Sequence, residues 1–152
     1  MVKLLSFLRC RPPSVLGFPD PVTLYDIDQA VLELVEGSSC CNSQNPHPNE
    51  PPAWDLLYTV VAPGIYDAEF NYDFGGRLCF IINGGNEIPT VLPAFKHGWR
   101  SVADEVECHC SDTDDWRGSM ACLTIRKSQW PRITQHFVVG EKLKIEIKSF
   151  NR

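Results

Sequence analysis

The chain has 152 residues, of which 43% are apolar and 22% charged, so it fits one ordinary globular domain with a genuine core. Fourteen Lys and Arg against nineteen Asp and Glu leave a net charge of -5, which argues against nucleic acid as the main partner, because a phosphate backbone rewards clustered bases. No stretch approaches the roughly 18 apolar residues of a membrane-spanning helix.

The start, "MVKLLSFLRCRPP", is apolar and basic but too short and too interrupted for a signal h-region. Residues 1–22 are expected to form an N-terminal arm, with residues 2–11 able to touch an anionic membrane surface without spanning it. In the next segment, 23–37, Ile27, Ala30, Val31, Leu34 and Val35 fall at helical spacing. The spacing predicts an amphipathic helix over 26–36, with Asp26 or Asp28 as its cap and Gly37 as its left-handed end. Residues 38–53, rich in Ser, Asn and Pro, are expected to be a linker. Within it "PPAW" at 51–54 falls one residue short of a PPxY peptide motif.

From Trp54 onward the apolar period becomes two, and residues 54–152 read as an antiparallel β domain. Tyr66, Ala68, Phe70, Tyr72 and Phe74 alternate with polar residues, and Gly75-Gly76 turns the chain into "RLCFII". Tyr58, Tyr66 and Tyr72 are expected on the inner face of the sheet. "NGGN" reads as a second hairpin turn before "EIPTVL", where Pro89 demands an edge or a bulge. "SVADEVECHC" and "SMACLTIR" read as an antiparallel pair with Cys110 opposite Ser119 and Cys108 opposite Ala121. "RITQHFVV" and "KLKIEIKSF" read as a last hairpin, with Leu143, Ile145 and Ile147 inward and Lys142, Lys144, Glu146 and Lys148 outward. The expected fold is mainly β (α+β): an antiparallel β-sandwich or bent sheet of about eight strands with one N-terminal amphipathic helix packed on it.

The chemistry-bearing residues centre on "ECHCSDTDD", Glu107 to Asp115. In an extended strand His109 points away from Cys108 and Cys110, toward Glu105, Glu107 and Cys122, so the thiols and the imidazole do not converge. The candidate metal ligands are Cys108, Cys110 and His97, with Cys40 and Cys41 able to approach; the competing reading is two small buried thiols. A nucleophilic Cys110 would need His136 or His97 as its base. "SDTDDWRG" matches a calcium loop only at its first two carboxylates. Phosphate loops, a nucleophile elbow and an H-E-x-x-H helix are missing from the sequence.

Seven cysteines without a regular framework point to a reducing, cytoplasmic setting. Three functional readings follow. The first is a non-enzymatic protein-interaction or assembly module, with a protein partner or itself, including a viral matrix-like or accessory protein whose lysines Lys142, Lys144 and Lys148 meet an acidic partner or a lipid surface. The second is a β-sandwich that binds carbohydrate or another small ligand, with Trp99 or Trp116 as a stacking surface. The third is a small metal- or thiol-dependent enzyme centred on Cys108, His109, Cys110 and Asp112. No resident cofactor is expected.

Overall fold

The computed structural model describes residues 1–9, 19–39, 61–94, 98, 100–111 and 122–149. Ten strands are found there: β1 (Lys3–Arg9), β2 (Asp20–Tyr25), β3 (Val31–Ser38), β4 (Gly64–Tyr72), β5 (Leu78–Ile82), β6 (Ile88–Ala94), β7 (Arg100–Ala103), β8 (Glu107–Cys110), β9 (Leu123–Ile125) and β10 (Lys142–Ser149). One short helix, α1 (Trp130–Thr134), follows a 3-10 turn at Lys127–Gln129.

Eight of these strands close into a barrel, in the order β1, β10, β4, β5, β8, β9, β3, β2 and back to β1. The expected sandwich is therefore corrected. Both edges of β1 are occupied, by β10 in parallel (Leu5 opposite Ile145) and by β2 antiparallel (Leu5 opposite Leu24), so the sheet has no edge left to pack as a layer. An eight-stranded barrel is just wide enough for side chains to fill. Here Leu5, Phe7, Leu24, Phe80, Ile82, Leu123, Ile125, Leu143, Ile145 and Ile147 point inward and are buried. Residues 3–9 are thus a wall strand: the apolar side chains Leu5 and Phe7 face the core, and Arg9 is buried as well.

The N-terminal helix is the second correction. Residues 20–38 form a β2–β3 hairpin whose turn is made by the two aspartates that resembled helix caps. Asp26 Oδ1 accepts from the Ile27 amide at 2.8 Å, and Asp28 Oδ1 from the Ala30 amide at 3.0 Å. The register slips between Leu24 and Tyr25, so Tyr25 faces Val31 while Leu24 faces Glu33. That bulge inserts a residue and brings apolar residues to intervals of three and four, imitating a helix. Of the apparent stripe, Ile27, Val31 and Leu34 are exposed and Val35 is buried. Gly37 serves for closeness: a Cβ there would lie 2.2 Å from the Thr124 carbonyl oxygen on β9.

Three further strand expectations change. "RITQHFVV" starts as α1, with Pro131 in its first turn. Ile133 and Phe137 are buried, and the rings of Phe70, Phe80, Trp130 and Phe137 pack at 5.0–5.7 Å between centroids, filling one end of the barrel. "NGGN" does not make a hairpin with β5; it leads into β6, which pairs with β7 as a separate two-stranded ribbon. This ribbon is irregular between Pro89 and Ala94, where the missing proline donor interrupts the ladder. Finally, β7 and β8 are two strands, separated by Glu105 at a φ of 53°, and β8 runs parallel to β9 with Cys108 opposite Leu123 and Cys110 opposite Ile125.

The β4–β5 hairpin and the two faces of β10 match the alternation of the sequence. Phe70 faces Phe80, and Leu143, Ile145 and Ile147 are buried while Lys142, Lys144 and Lys148 are exposed. At the opposite barrel end from α1, Arg9 donates to Ser39 Oγ (3.0 Å), Ser39 O (2.9 Å) and Val61 O (2.8 Å). Asp20 Oδ2 in turn accepts from the Ser39 amide at 2.8 Å and from its hydroxyl at 2.5 Å. Buried charges of opposite sign thus share one serine, which satisfies polar groups that would otherwise be costly in the interior.

Candidate functional site

The side chains of β5 and β8 alternate across the barrel wall. Phe80 and Cys108 face each other and belong to the core, while Ile81 faces Glu107 on the next register position, toward the outside. Cys79, Ile81, Glu107 and His109 therefore share the outer face, to which the β4–β5 turn adds Asp73 and Arg77.

These residues form a compact charged group. One ligand atom from each of Asp73, Cys79 and Glu107 lies within 4.8 Å of the others. Arg77 Nη2 donates to Glu107 Oε1 at 2.9 Å, and Arg77 Nε approaches Asp73 Oδ2 at 3.4 Å. The Arg77 amide also donates to Asp73 Oδ1 at 2.9 Å. That backbone hydrogen bond holds the Asp73 carboxyl below the usual aspartate value. Burial pushes the Glu107 carboxyl above the usual glutamate value, with the Arg77 hydrogen bond opposing it. Burial, reinforced by the Glu107 charge, pushes the Cys79 thiol well up, so it is a protonated group and a poor nucleophile. Two carboxylates and a thiol are a ligand set for a divalent ion, but the guanidinium contacts both carboxylates and already supplies the positive charge there.

Beside this group runs a surface groove of about 310 Å³, lined by Tyr72, Asp73, Phe74, Ile81, Gly84, Gly85, Glu105 and Glu107. Its walls combine two aromatic rings with three carboxylates. Phe74 is fully exposed at its edge, and Tyr72, which the alternation placed on the inner face, is 56% exposed. The alternation ends there because the chain leaves the barrel at the hairpin turn, where Asp73 O accepts from the Gly76 amide at 3.0 Å. Gly84 and Gly85 leave the floor without side chains, and the Glu105 amide donates to Gly85 O at 2.9 Å.

Among the described residues, Cys108, Cys110 and His136 belong to no cluster of three ligand groups. Cys108 lies in the core cluster, and Cys110 Sγ donates to Ser111 O at 3.4 Å. His109 is buried, with Nδ1 at 2.8 Å from Cys110 O. Cys122 Sγ accepts from the Glu107 amide at 3.4 Å, so it lies beside Glu107, but with β8 and β9 parallel and not in the antiparallel register expected from the sequence. His136 is held by Glu33, Nε2 to Oε2 2.9 Å, on the β3 side of the barrel. His97, Trp99, Trp116, Asp112 to Asp115, Cys40, Cys41, Tyr58 and the PPAW motif lie outside the described residues.

Of the predicted binding lysines, Lys144 pairs with Asp67 at 2.7 Å. Lys142 and Lys144 line a second groove of about 620 Å³ with Val2, Asp67, Glu69 and Asn83, where both charge signs are present. Lys148 is exposed on the same strand. Asp73, Arg77 and Cys79 were missed by sequence reasoning. The i, i+4 pair of Asp73 and Arg77 across Gly75-Gly76 was the available local signal; their meeting with Glu107 requires the β5–β8 pairing.

No family model, curated protein or solved structure matches the chain. Among the described residues no helix is long and apolar enough to cross a membrane.

Proposed function

We propose that the protein is a non-enzymatic interaction module that holds a basic segment of a partner protein in the groove between the β4–β5 turn and β8. The observation that carries this reading is the groove lining: Asp73, Glu105 and Glu107 stand beside the exposed rings of Tyr72 and Phe74. Carboxylates that face an open groove attract a cation, and aromatic rings at its rim add contact area with few rotatable bonds. The barrel interior is packed with aromatic and aliphatic side chains, so the outer surface is where a partner has room. The thiol of Cys79, which forms no disulfide, suits a reducing, cytoplasmic setting.

The test uses fluorescein-labelled nonapeptides that alternate alanine with lysine and arginine, or with glutamate. Anisotropy titration is expected to show binding of the basic peptide alone. Affinity should fall about tenfold in Glu105→Gln/Glu107→Gln, roughly the worth of one charge-assisted hydrogen bond. Equal binding by wild type and the double variant, or preference for the acidic peptide, would refute the reading.

A further inference from the structure

We infer that the groove selects arginine over lysine in its partner, a deepening that rests on the groove being the docking site. The protein's own packing is the first argument. The cation that the outer face of β5 and β8 already holds is a guanidinium: Arg77 spans Asp73 and Glu107 with separate nitrogens, Nε and Nη2. Carboxylates set apart in this way match the planar fork of arginine, whereas an ammonium is a point charge that serves one oxygen well. The neighbouring Lys144 shows that second pattern, with Nζ on Asp67 Oδ1 at 2.7 Å.

The wall chemistry is the second argument. A guanidinium is weakly hydrated at its faces and stacks on an aromatic ring while its edge donates to carboxylates. Tyr72 and Phe74 provide rings, and Glu105 and Glu107 provide acceptors, within the same groove. Lysine keeps its hydration shell and loses more on leaving water. The third argument is room. A Cβ built on Gly85 would meet nothing within 4 Å, so the floor accommodates an aliphatic stem running past it. The charge balance favours a further cation, because three carboxylates line the groove and Arg77 is the cation that contacts two of them.

The experiment compares three labelled nonapeptides that are identical except for arginine, lysine or citrulline at the charged positions. Against wild type, the arginine peptide is expected to bind about fivefold tighter than the lysine peptide, the size of one exposed cation–π contact, and the citrulline peptide is expected not to bind. Phe74→Ala, a change at a fully exposed side chain, should bring the arginine-to-lysine ratio below about twofold by weakening the arginine peptide more than the lysine peptide. Tyr72→Ala is the second variant, expected to act in the same direction. Arginine and lysine peptides that bind equally, yet both weaken in Glu105→Gln/Glu107→Gln, would overturn the arginine preference and leave the basic-segment reading standing. A preference that survives loss of both rings would also overturn it. Failure of every peptide to bind would remove both.

Discussion

Arg77 and Glu107 meet at 2.9 Å across the β5–β8 pair, and this contact joins the β4–β5 turn to the strand that carries the chain's most reactive-looking sequence. It gives the outer face its character. One guanidinium restrains two carboxylates that burial and hydrogen bonding push in opposite directions, Glu107 up and Asp73 down.

Replacing Arg77 by Met should therefore raise the carboxyl pKa of Glu107 further and raise that of Asp73 as well, read by carboxyl carbon NMR across a pH series. Asp73 keeps its backbone hydrogen bond and should move less. Because the Arg77 side chain is about half exposed, the stability change is expected to stay under about 1 kcal/mol. Unmoved carboxyl titrations would show that the contact does not form in solution.

The fate of residues 26–36 gives a sharp stability test. In the barrel Leu34 is 63% exposed and Ile145 fully buried, so Leu34→Ala should change unfolding free energy by no more than about 0.5 kcal/mol. Ile145→Ala should cost about 2–5 kcal/mol. A packed helical stripe would make Leu34→Ala costly, and urea denaturation separates the two outcomes.

That segment also shows what local periodicity can and cannot convey. The alternation in β10 and β4 was legible because Leu143, Ile145 and Ile147, or Ala68 and Phe70, face a core that every register position shares. The opposite sides taken by Cys108 and His109 were legible for the same reason. The bulge opposite Tyr25 hid β3, because one inserted residue converts a period of two into spacings of three and four. Barrel closure was hidden more deeply: β1 pairs with β10 across almost the whole chain, and no local pattern encodes a partner at that distance. The Asp73–Arg77–Glu107 group was hidden likewise, since its members come from a turn and from a strand that only the fold brings beside it.

Gly37→Ala should destabilise the protein by about 1–3 kcal/mol, because the added methyl meets the Thr124 carbonyl and forces β3 from β9. The same change at the end of a helix in left-handed conformation would act through backbone strain. Thermal unfolding, with amide exchange at Gly37 and Ile125, distinguishes strand separation from a local effect: protection should fall on both strands.

Asp20 sets a pH dependence of definite sign. Burial raises its carboxyl above the ordinary aspartate value, against the hydrogen bonds from Ser39 and the Arg9 charge. A group that binds its proton more tightly when folded adds stability as the pH falls through its folded value toward its unfolded one. Wild type should therefore gain stability relative to Asp20→Asn on going from neutral to acidic pH, measured as the difference in urea midpoints. A gap that stays constant with pH, or that moves the other way, would contradict the assignment.

Glu33 works in the opposite direction. The hydrogen bond with His136 holds its carboxyl below the usual glutamate value, so its contribution is present above the ordinary glutamate range and lost as the pH falls through the lowered value. His136→Ala should reduce the acid-side loss of stability between β3 and α1. Identical acid limbs in the two proteins would show the pair to be inert.

The groove beside Tyr72 and Phe74 is tested most directly by backbone amide NMR of the full chain during titration with the arginine nonapeptide. The expected shifts cluster at residues 72–74, 81, 84–85 and 105–107, and disappear with the citrulline peptide. Shifts concentrated on the exposed face of the β2–β3 hairpin or on the lysines of β10, with the groove unchanged, would contradict it.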